Sequence, residues 1–190
     1  MKKKTVTLAL IVALLAICAI GTTAFFTDRG KATNVITTGG VKIDLLETAV
    51  KDGELAPFED VEGVMPGVEV SKIVEVKNIG ESDAYIRISV EKAITLAENR
   101  EGEVDLSLVK LDINTADWTE QDGYYYYNSA LKPGETTKPL FTVVTFDEAM
   151  GNLYQQSTAT VTVNAEATQV ANNGTSALTA AGWPQSGEEA

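Results

Sequence analysis

The 190-residue sequence contains no histidine. This excludes Ser-His-Asp and Cys-His catalysis, zinc sites with histidine ligands, and the usual general base near neutral pH. Carboxylates, tyrosines and lysines remain as catalytic groups. A carboxylate pair suited to glycoside hydrolysis stays open, although nothing in the sequence selects one pair.

Cysteine and positive charge are also scarce. The single cysteine, Cys18, lies near the N-terminus, so the rest of the chain has no disulfide and no thiolate metal ligand. Basic residues number 15 against 27 acidic ones, which gives a net charge of −12. Such a balance argues against nucleic-acid binding and against docking on anionic lipid, since both need a lysine- and arginine-rich face.

The N-terminus has the three parts of a secretory signal. Lys2, Lys3 and Lys4 precede an uncharged, mostly apolar run over residues 5–21. Small residues follow, and the predicted signal-peptidase site consists of Thr22, Ala24 and Phe25, with cleavage after Ala24. The sequence therefore predicts a secreted protein, located in the extracellular matrix or at the cell surface.

Two alternatives for this segment stay open. An uncleaved membrane anchor is one, because the apolar run is at the short limit for a membrane span. Lipidation of Cys18 is the other, and it is disfavoured because Ile17 is not a small residue.

Short β-type runs separated by Gly, Pro, Asn and Asp follow the signal. They predict strands within residues 41–45, 70–76, 85–90, 124–127, 140–146 and 158–167. Residues 79–83 have the composition of a hairpin loop. Pro66-Gly67 and Pro133-Gly134 fit type II turns. Residues 147–154 suggest a short helix, whereas residues 93–100 are ambiguous.

We therefore expect one domain after the signal. The predicted organisation is a signal peptide over residues 1–24, a β-sandwich over residues 25–170, and a partly flexible tail of small residues over 171–190. The tail is expected to be loosely structured until Trp183 packs against another part of the chain.

Several segments together resemble the TasA/camelysin (CalY) proteins of Gram-positive bacteria. The resemblance spans nearly the whole chain, and its motifs occur in the order expected for that family. The segments that carry it are Phe25-Phe26-Thr27-Asp28, Asn34 to Leu45, Met65-Pro66-Gly67, Val74 to Gly80, Asp83 to Arg87, Tyr125 to Asn128, Leu131 to Thr137, Pro139-Leu140-Phe141 and Ala165 to Gln169.

The resemblance implies a jelly-roll-like antiparallel β-sandwich with short helices in loops. It also implies export through a signal peptidase of the SipW type and head-to-tail assembly of the protein with itself into biofilm-matrix fibres. The implied donor segment is residues 25–38, opened by Phe25, Phe26, Thr27 and Asp28, which would complete the sheet of the next subunit. The alternative is that this segment folds back into its own subunit. A matrix accessory protein or exopolysaccharide is a further expected partner.

Two other functions compete with the fibre subunit. Camelysin-type members are described as metallopeptidases, but the histidine pair of a zincin is missing here. A monomeric extracellular binding module is the second competitor, and its candidate ligand-facing aromatic residues are Trp118, Tyr125 and Tyr127. Alternation along 124–127 sends Tyr124 and Tyr126 to one face and Tyr125 and Tyr127 to the other, so two of the four are expected to pack in the core, and structural use of the cluster is favoured.

Acidic residues are the best candidates for a cation site. They do not have the spacing of an EF-hand loop, so no cofactor is predicted and calcium remains a weak alternative. Their simpler role is to make subunits repel one another. This repulsion would make assembly sensitive to acid and salt. These residues are Asp44, Glu47, Asp52, Glu54, Glu59, Asp60 and Glu62.

Overall fold

The computed structural model describes residues 34–37, 40–59, 61 and 66–184. Short strands dominate this part of the chain, and helical residues occur there only as single 3₁₀ turns. The prediction of an all-β sandwich is confirmed. In chain order the strands are β1 Asn34–Thr37, β2 Ile43–Lys51, β3 Glu54–Pro57, β4 Glu69–Ser71, β5 Ile73–Asn78, β6 Ala84–Thr95, β7 Val109–Leu111, β8 Trp118–Gln121, β9 Tyr124–Tyr127, β10 Val143–Phe146 and β11 Thr158–Gln169.

One layer of the sandwich is a five-stranded sheet, here called the front sheet, with the order β1-β11-β6-β9-β8. Its central pair is β6 and β11, which run antiparallel over all twelve residues of each strand. Strict alternation buries Ala159, Val161, Val163, Ala165 and Ala167 on the inner face of β11. This is the half-buried pattern that the sequence predicts.

The other layer consists of two three-stranded sheets, β3-β2-β5 and β4-β10-β7. They are joined because the chain before β10 runs alongside β5: Leu140 N donates to Val74 O at 2.8 Å, and Thr137 N donates to Val76 O at 2.9 Å. Apolar side chains of both layers form one continuous core. Burial of this core is the main source of stability.

The strand predicted within residues 70–76 is divided at Lys72 into β4 and β5. This break turns Lys72 inward, where its side chain is fully buried. The Lys72 ammonium lies 2.8 Å from the Glu47 carboxylate and 3.9 Å from the centre of the Phe58 ring. A buried lysine persists only with such partners, so Lys72 fixes Phe58 and the chain that follows β3 over the end of the core.

Residues 79–83 are not a hairpin loop, because β5 and β6 lie in different layers. The buried Asn78 side chain makes the corner instead: its Nδ2 donates to Ser82 O and to Leu131 O, both at 2.8 Å, and its Oδ1 accepts from Gly80 N. Composition alone cannot distinguish a hairpin from a crossing between layers.

The predicted helix over residues 147–154 is also wrong. Asp147 Oδ1 accepts from Ala149 N in a local turn, and Gly151 has an extended backbone that interrupts any helix. Only Asn152–Tyr154 forms a 3₁₀ turn. The ambiguous residues 93–95 belong to strand β6. Both Pro-Gly turns are confirmed, since Gly67 and Gly134 have φ values of +79° and +82°.

Candidate functional site

The described part of the predicted donor segment is strand β1. It pairs in parallel with β11 of its own chain, with Asn34 opposite Asn164 and Thr37 opposite Ala167. Every other described strand pair is antiparallel. Phe25, Phe26, Thr27 and Asp28 lie outside the described residues, as do Thr22 and Ala24 of the predicted cleavage site. Residues 34–37 therefore occupy the edge of the front sheet in this chain.

Strand β11 presents the edge that receives β1. Its twelve residues pair with β6 on one side, whereas β1 covers only Asn164–Ala167 on the other. Its inner face is closed by the core, with Val163 and Ala165 each at most 1% exposed. The sandwich thus holds β11 in an extended form without help from β1, which makes its outer edge a preformed template for a strand.

The connection from β1 to β2 is short and rich in glycine. Residues 38–42 separate the two strands, and they include Gly39 and Gly40. Gly40 has a φ of +76°, and a Cβ placed there would meet no atom within 4 Å. Strands β1 and β2 belong to different layers, so the chain changes layer between them. A glycine pair at this point permits large changes of chain direction.

Behind the acceptor edge lies a nearly buried ion pair. Arg87 on β6 donates from Nε to Glu166 Oε2 on β11 at 2.6 Å. The side chains of Arg87 and Glu166 are only 11% and 8% exposed. The guanidinium of Arg87 stacks on Tyr124 at 3.9 Å and on Trp183 at 4.7 Å from the ring centres. Glu166 stands opposite Ile36 in the register of β1 and β11.

The three predicted ligand-facing aromatic residues turn toward the main core. Trp118 is 2% exposed and donates from Nε1 to Lys138 O at 3.1 Å, which leaves no free ring face for a ligand. Tyr125 and Tyr127 are half-buried against the same core, and burial followed by the charge of Glu120 raises the pKa of Tyr125. The burial of Trp118 gives no support to a ligand role there, and a ligand role for Trp118, Tyr125 and Tyr127 stays a prediction.

The acidic residues do not converge on one point. Glu47 is paired with Lys72, and Glu59 forms an ion pair with Lys51 that lowers the pKa of Glu59 through its hydrogen bond. Among the described residues no three metal-ligating side chains come together. Asp60 and Glu62 lie outside the described residues.

Sequence reasoning missed Arg87, Glu166 and Lys72. Arg87 stands between Ile86 and Ile88 as the polar member of a regular alternation, so the local pattern predicts an exposed side chain there. Local sequence does not reveal that its partner is 79 positions away.

Comparison with known proteins gives no independent support for a family. No family model matches the chain, and neither the curated proteins nor the solved structures give a match. In the part of the chain that the structure describes, no helix has the length and apolar character needed to cross a membrane. The geometry of β1 and β11 is consequently the basis for a functional proposal.

Proposed function

We propose that this protein is a secreted structural subunit that assembles into extracellular biofilm-matrix fibres by exchange of its N-terminal strand. The observation that carries the proposal is the parallel edge strand β1, which covers four of the twelve residues of β11 and is joined to β2 through Gly39 and Gly40. The family resemblance of the sequence is consistent with this function. The proposed partners are other copies of the chain and, during export, a signal peptidase of the SipW type.

Strand exchange needs a strand that can leave without unfolding the domain. Strand β1 pairs with one neighbour only, so its departure breaks the pairing of four residues. The backbone groups then exposed on β11 can pair with the same strand of a second copy, which is β-augmentation. The paired backbone is equivalent in both states, so exchange becomes favourable through additional contacts between copies or through high concentration.

The geometry of such a contact produces a filament. The donating surface is β1 and the accepting surface is the β11 edge, so each copy keeps one of each after binding. When two different surfaces bind each other, copies can be added without limit, unless the rotation from one copy to the next closes a ring. A net charge of −12 makes copies repel one another, so assembly should be faster at higher salt.

The proposed role is structural rather than catalytic. A zincin-type metallopeptidase needs two histidine ligands, and the sequence has none. The described residues give no specific support to a monomeric binding module, because Trp118 of its candidate aromatic set is buried in the core.

Mixed cysteine variants test the proposal directly. One protein carries Asn34→Cys and the other carries Asn164→Cys, because these positions are opposite each other in the register. Directly opposed residues in a sheet are within disulfide distance. After assembly of an equal mixture and mild oxidation, a disulfide-linked dimer on a non-reducing gel is expected, since only donation between copies brings the two thiols together.

The matched control replaces Asn164→Cys by Thr162→Cys, which lies two positions out of register on the same strand. It should give little dimer. Fibres that form without any Asn34–Asn164 linkage between copies would overturn strand donation. A protein that stays monomeric at every salt concentration and pH would favour the binding module.

The residues before β1 can be tested by truncation. We expect fibres from a chain that begins at Phe25 and monomers from one that begins at Lys31, because the second chain lacks Phe25 and Phe26. Sedimentation and electron microscopy distinguish the two results. Equal fibre formation by both chains would remove Phe25, Phe26, Thr27 and Asp28 from the donor function.

A further inference from the structure

One end of the outer face of the front sheet is buried although it points away from the core. Tyr85 and Tyr126 are 5% and 7% exposed, and Thr168 is 2% exposed. They are covered by residues 170–184, which follow β11 and which we call the C-terminal cover. Ala177 of the cover is itself buried in the same apolar cluster as Tyr85 and Tyr126.

The C-terminal cover has its own internal hydrogen bonds. Asn173 Nδ2 donates to Ala181 O at 2.8 Å and to Gln169 O at 2.9 Å, and Asn173 Oδ1 accepts from Ala181 N at 2.7 Å. Ser176 and Thr179 cap a 3₁₀ turn reciprocally. These contacts fold the cover into a defined shape that brings its end back to the sheet.

The end of the cover contacts Arg87. The Trp183 ring lies 4.7 Å from the Arg87 guanidinium and meets Tyr126 edge-on at 5.8 Å. Arg87 also donates to Pro184 O at 3.4 Å, and Pro184 is buried. Arg87 is therefore held between Tyr124 on one side and Trp183 on the other.

Arg87 in turn neutralises Glu166, which stands opposite Ile36 of β1. The four residues of β1 carry no charge. An uncharged strand pairs poorly beside a carboxylate that has lost its partner, because such a carboxylate retains water at the sheet edge. Trp183 is thus connected through Arg87 to Glu166, the β11 residue that pairs in register with Ile36 of β1.

We infer that the C-terminal cover is a latch on the N-terminal strand: Trp183 holds Arg87 on Glu166, and this pair keeps the β11 edge suited to β1. The inference does not depend on fibre assembly, because it applies equally to β1 of the same chain and to β1 of a second copy. Trp183 and Arg87 act as positioning residues.

Hydrogen exchange on the chain from Phe25 onward, kept unassembled at low salt, tests the latch. Trp183→Ala should speed exchange of the Asn34–Thr37 amides by about tenfold, which is within the usual range for coupled sites. Central β6 amides, such as those of Ile86 and Ile88, should change little. The matched control is Leu178→Ala, an exposed residue of the same cover that should leave both groups unchanged.

A second pair of variants tests whether the effect of Trp183 on β1 depends on the Glu166 carboxylate. In the Glu166→Gln background there is no carboxylate charge to neutralise, so adding Trp183→Ala should raise β1 exchange by less than about twofold. An unchanged effect of Trp183→Ala in that background would overturn the route through Glu166. An equal increase at β1 and at the central β6 amides would mean global destabilisation and would overturn the latch itself.

The proposal of strand donation and the inference of a latch can be contradicted independently of each other. The linkage of Asn34→Cys to Asn164→Cys between copies reports donation, whereas exchange of β1 in the monomer reports the latch. A latch without linkage would leave the inference intact and remove the proposed function.

Discussion

The two faces of the front sheet are buried in different ways. The inner face uses aliphatic side chains, such as Ile86, Ile88 and Val163, which pack without directional requirements. The outer face uses Tyr126, the Arg87–Glu166 pair and a cover of irregular chain. The stability of the inner face therefore increases with the apolar area that it buries. The stability of the outer face depends instead on a few groups with specific geometry. Single substitutions can test this difference.

Ile88→Ala should have the largest effect. Ile88 is fully buried, and truncation leaves a cavity that should lower the free energy of unfolding by about 4 kcal/mol. Urea unfolding measures this change. Ile79→Ala is the control, because Ile79 is 43% exposed and should change stability by about 0.5 kcal/mol or less. A small effect at Ile88 would contradict a tightly packed inner face.

Arg87→Ala should follow, with a loss of about 3 kcal/mol, because Glu166 is left as a nearly buried charge without its partner. The comparison is sharpened by the double variant Arg87→Met with Glu166→Leu, which should be close to neutral in urea unfolding. Arg100→Ala serves as a surface control, since it removes only a contact with Gln155. If the double variant were as unstable as Arg87→Ala, desolvation of Glu166 would not explain the loss.

Asn173→Ala should have an intermediate effect of about 1 to 2 kcal/mol, because the hydrogen bonds that shape the C-terminal cover are lost. Limited proteolysis should then cut first within residues 170–184. Asn152→Ala removes an exposed contact and should leave the cleavage pattern unchanged. Cleavage elsewhere in the Asn173 variant would show that the cover does not depend on this side chain.

The smallest expected effect depends on pH. Burial raises the pKa of Asp112, but hydrogen bonds from Thr142 Oγ1, Thr142 N and Val143 N outweigh it and lower the pKa below its usual value. A lowered folded-state pKa stabilises the protein above the ordinary pKa of about 4, and this contribution is lost as the pH falls through the folded-state pKa.

Asp112→Asn should therefore cost about 1 kcal/mol or less at pH 7 and nothing at the lowest pH. Thermal unfolding of both proteins across this range measures the difference. Glu103→Gln, at an exposed position, should show no comparable trend. A cost that stays constant with pH would mean that the carboxylate charge is not involved.

The local alternation of apolar and polar residues predicted many of the strands, but it predicted little of how the outer face of the front sheet is buried. The alternation in residues 158–167 predicted β11 and its buried side correctly, since a period of two dictates which face meets the core. The same reasoning placed Tyr125 and Tyr127 opposite Tyr124 and Tyr126, and the two pairs do contact different clusters. The loop at residues 79–83 was misread because turn composition is the same in a hairpin and in a crossing between layers.

The candidate site was predictable only in part. The sequence indicated an N-terminal donor segment through its family resemblance. Its pairing with Asn164–Ala167, more than a hundred positions away, depends on sheet order. Arg87 and Glu166 were missed for the same reason, because each looks like an ordinary surface residue in its own segment. The sequence predicted that Trp183 would pack against another part of the chain, but it did not reveal Arg87 and Tyr126 as the partners.

By itself, the sequence determined which catalytic and metal-binding side chains this protein has and where several of its strands lie after residue 40. Those properties follow from residue type and local periodicity, which need no knowledge of distant neighbours. Tertiary structure alone decided that β1 lies at the edge of β11, that Lys72 and Arg87 are buried with carboxylate partners, and that residues 170–184 cover the outer face. The physical reason is that edges, ion pairs and covers arise where segments distant in sequence meet, and the free energy of each contact depends on both partners together.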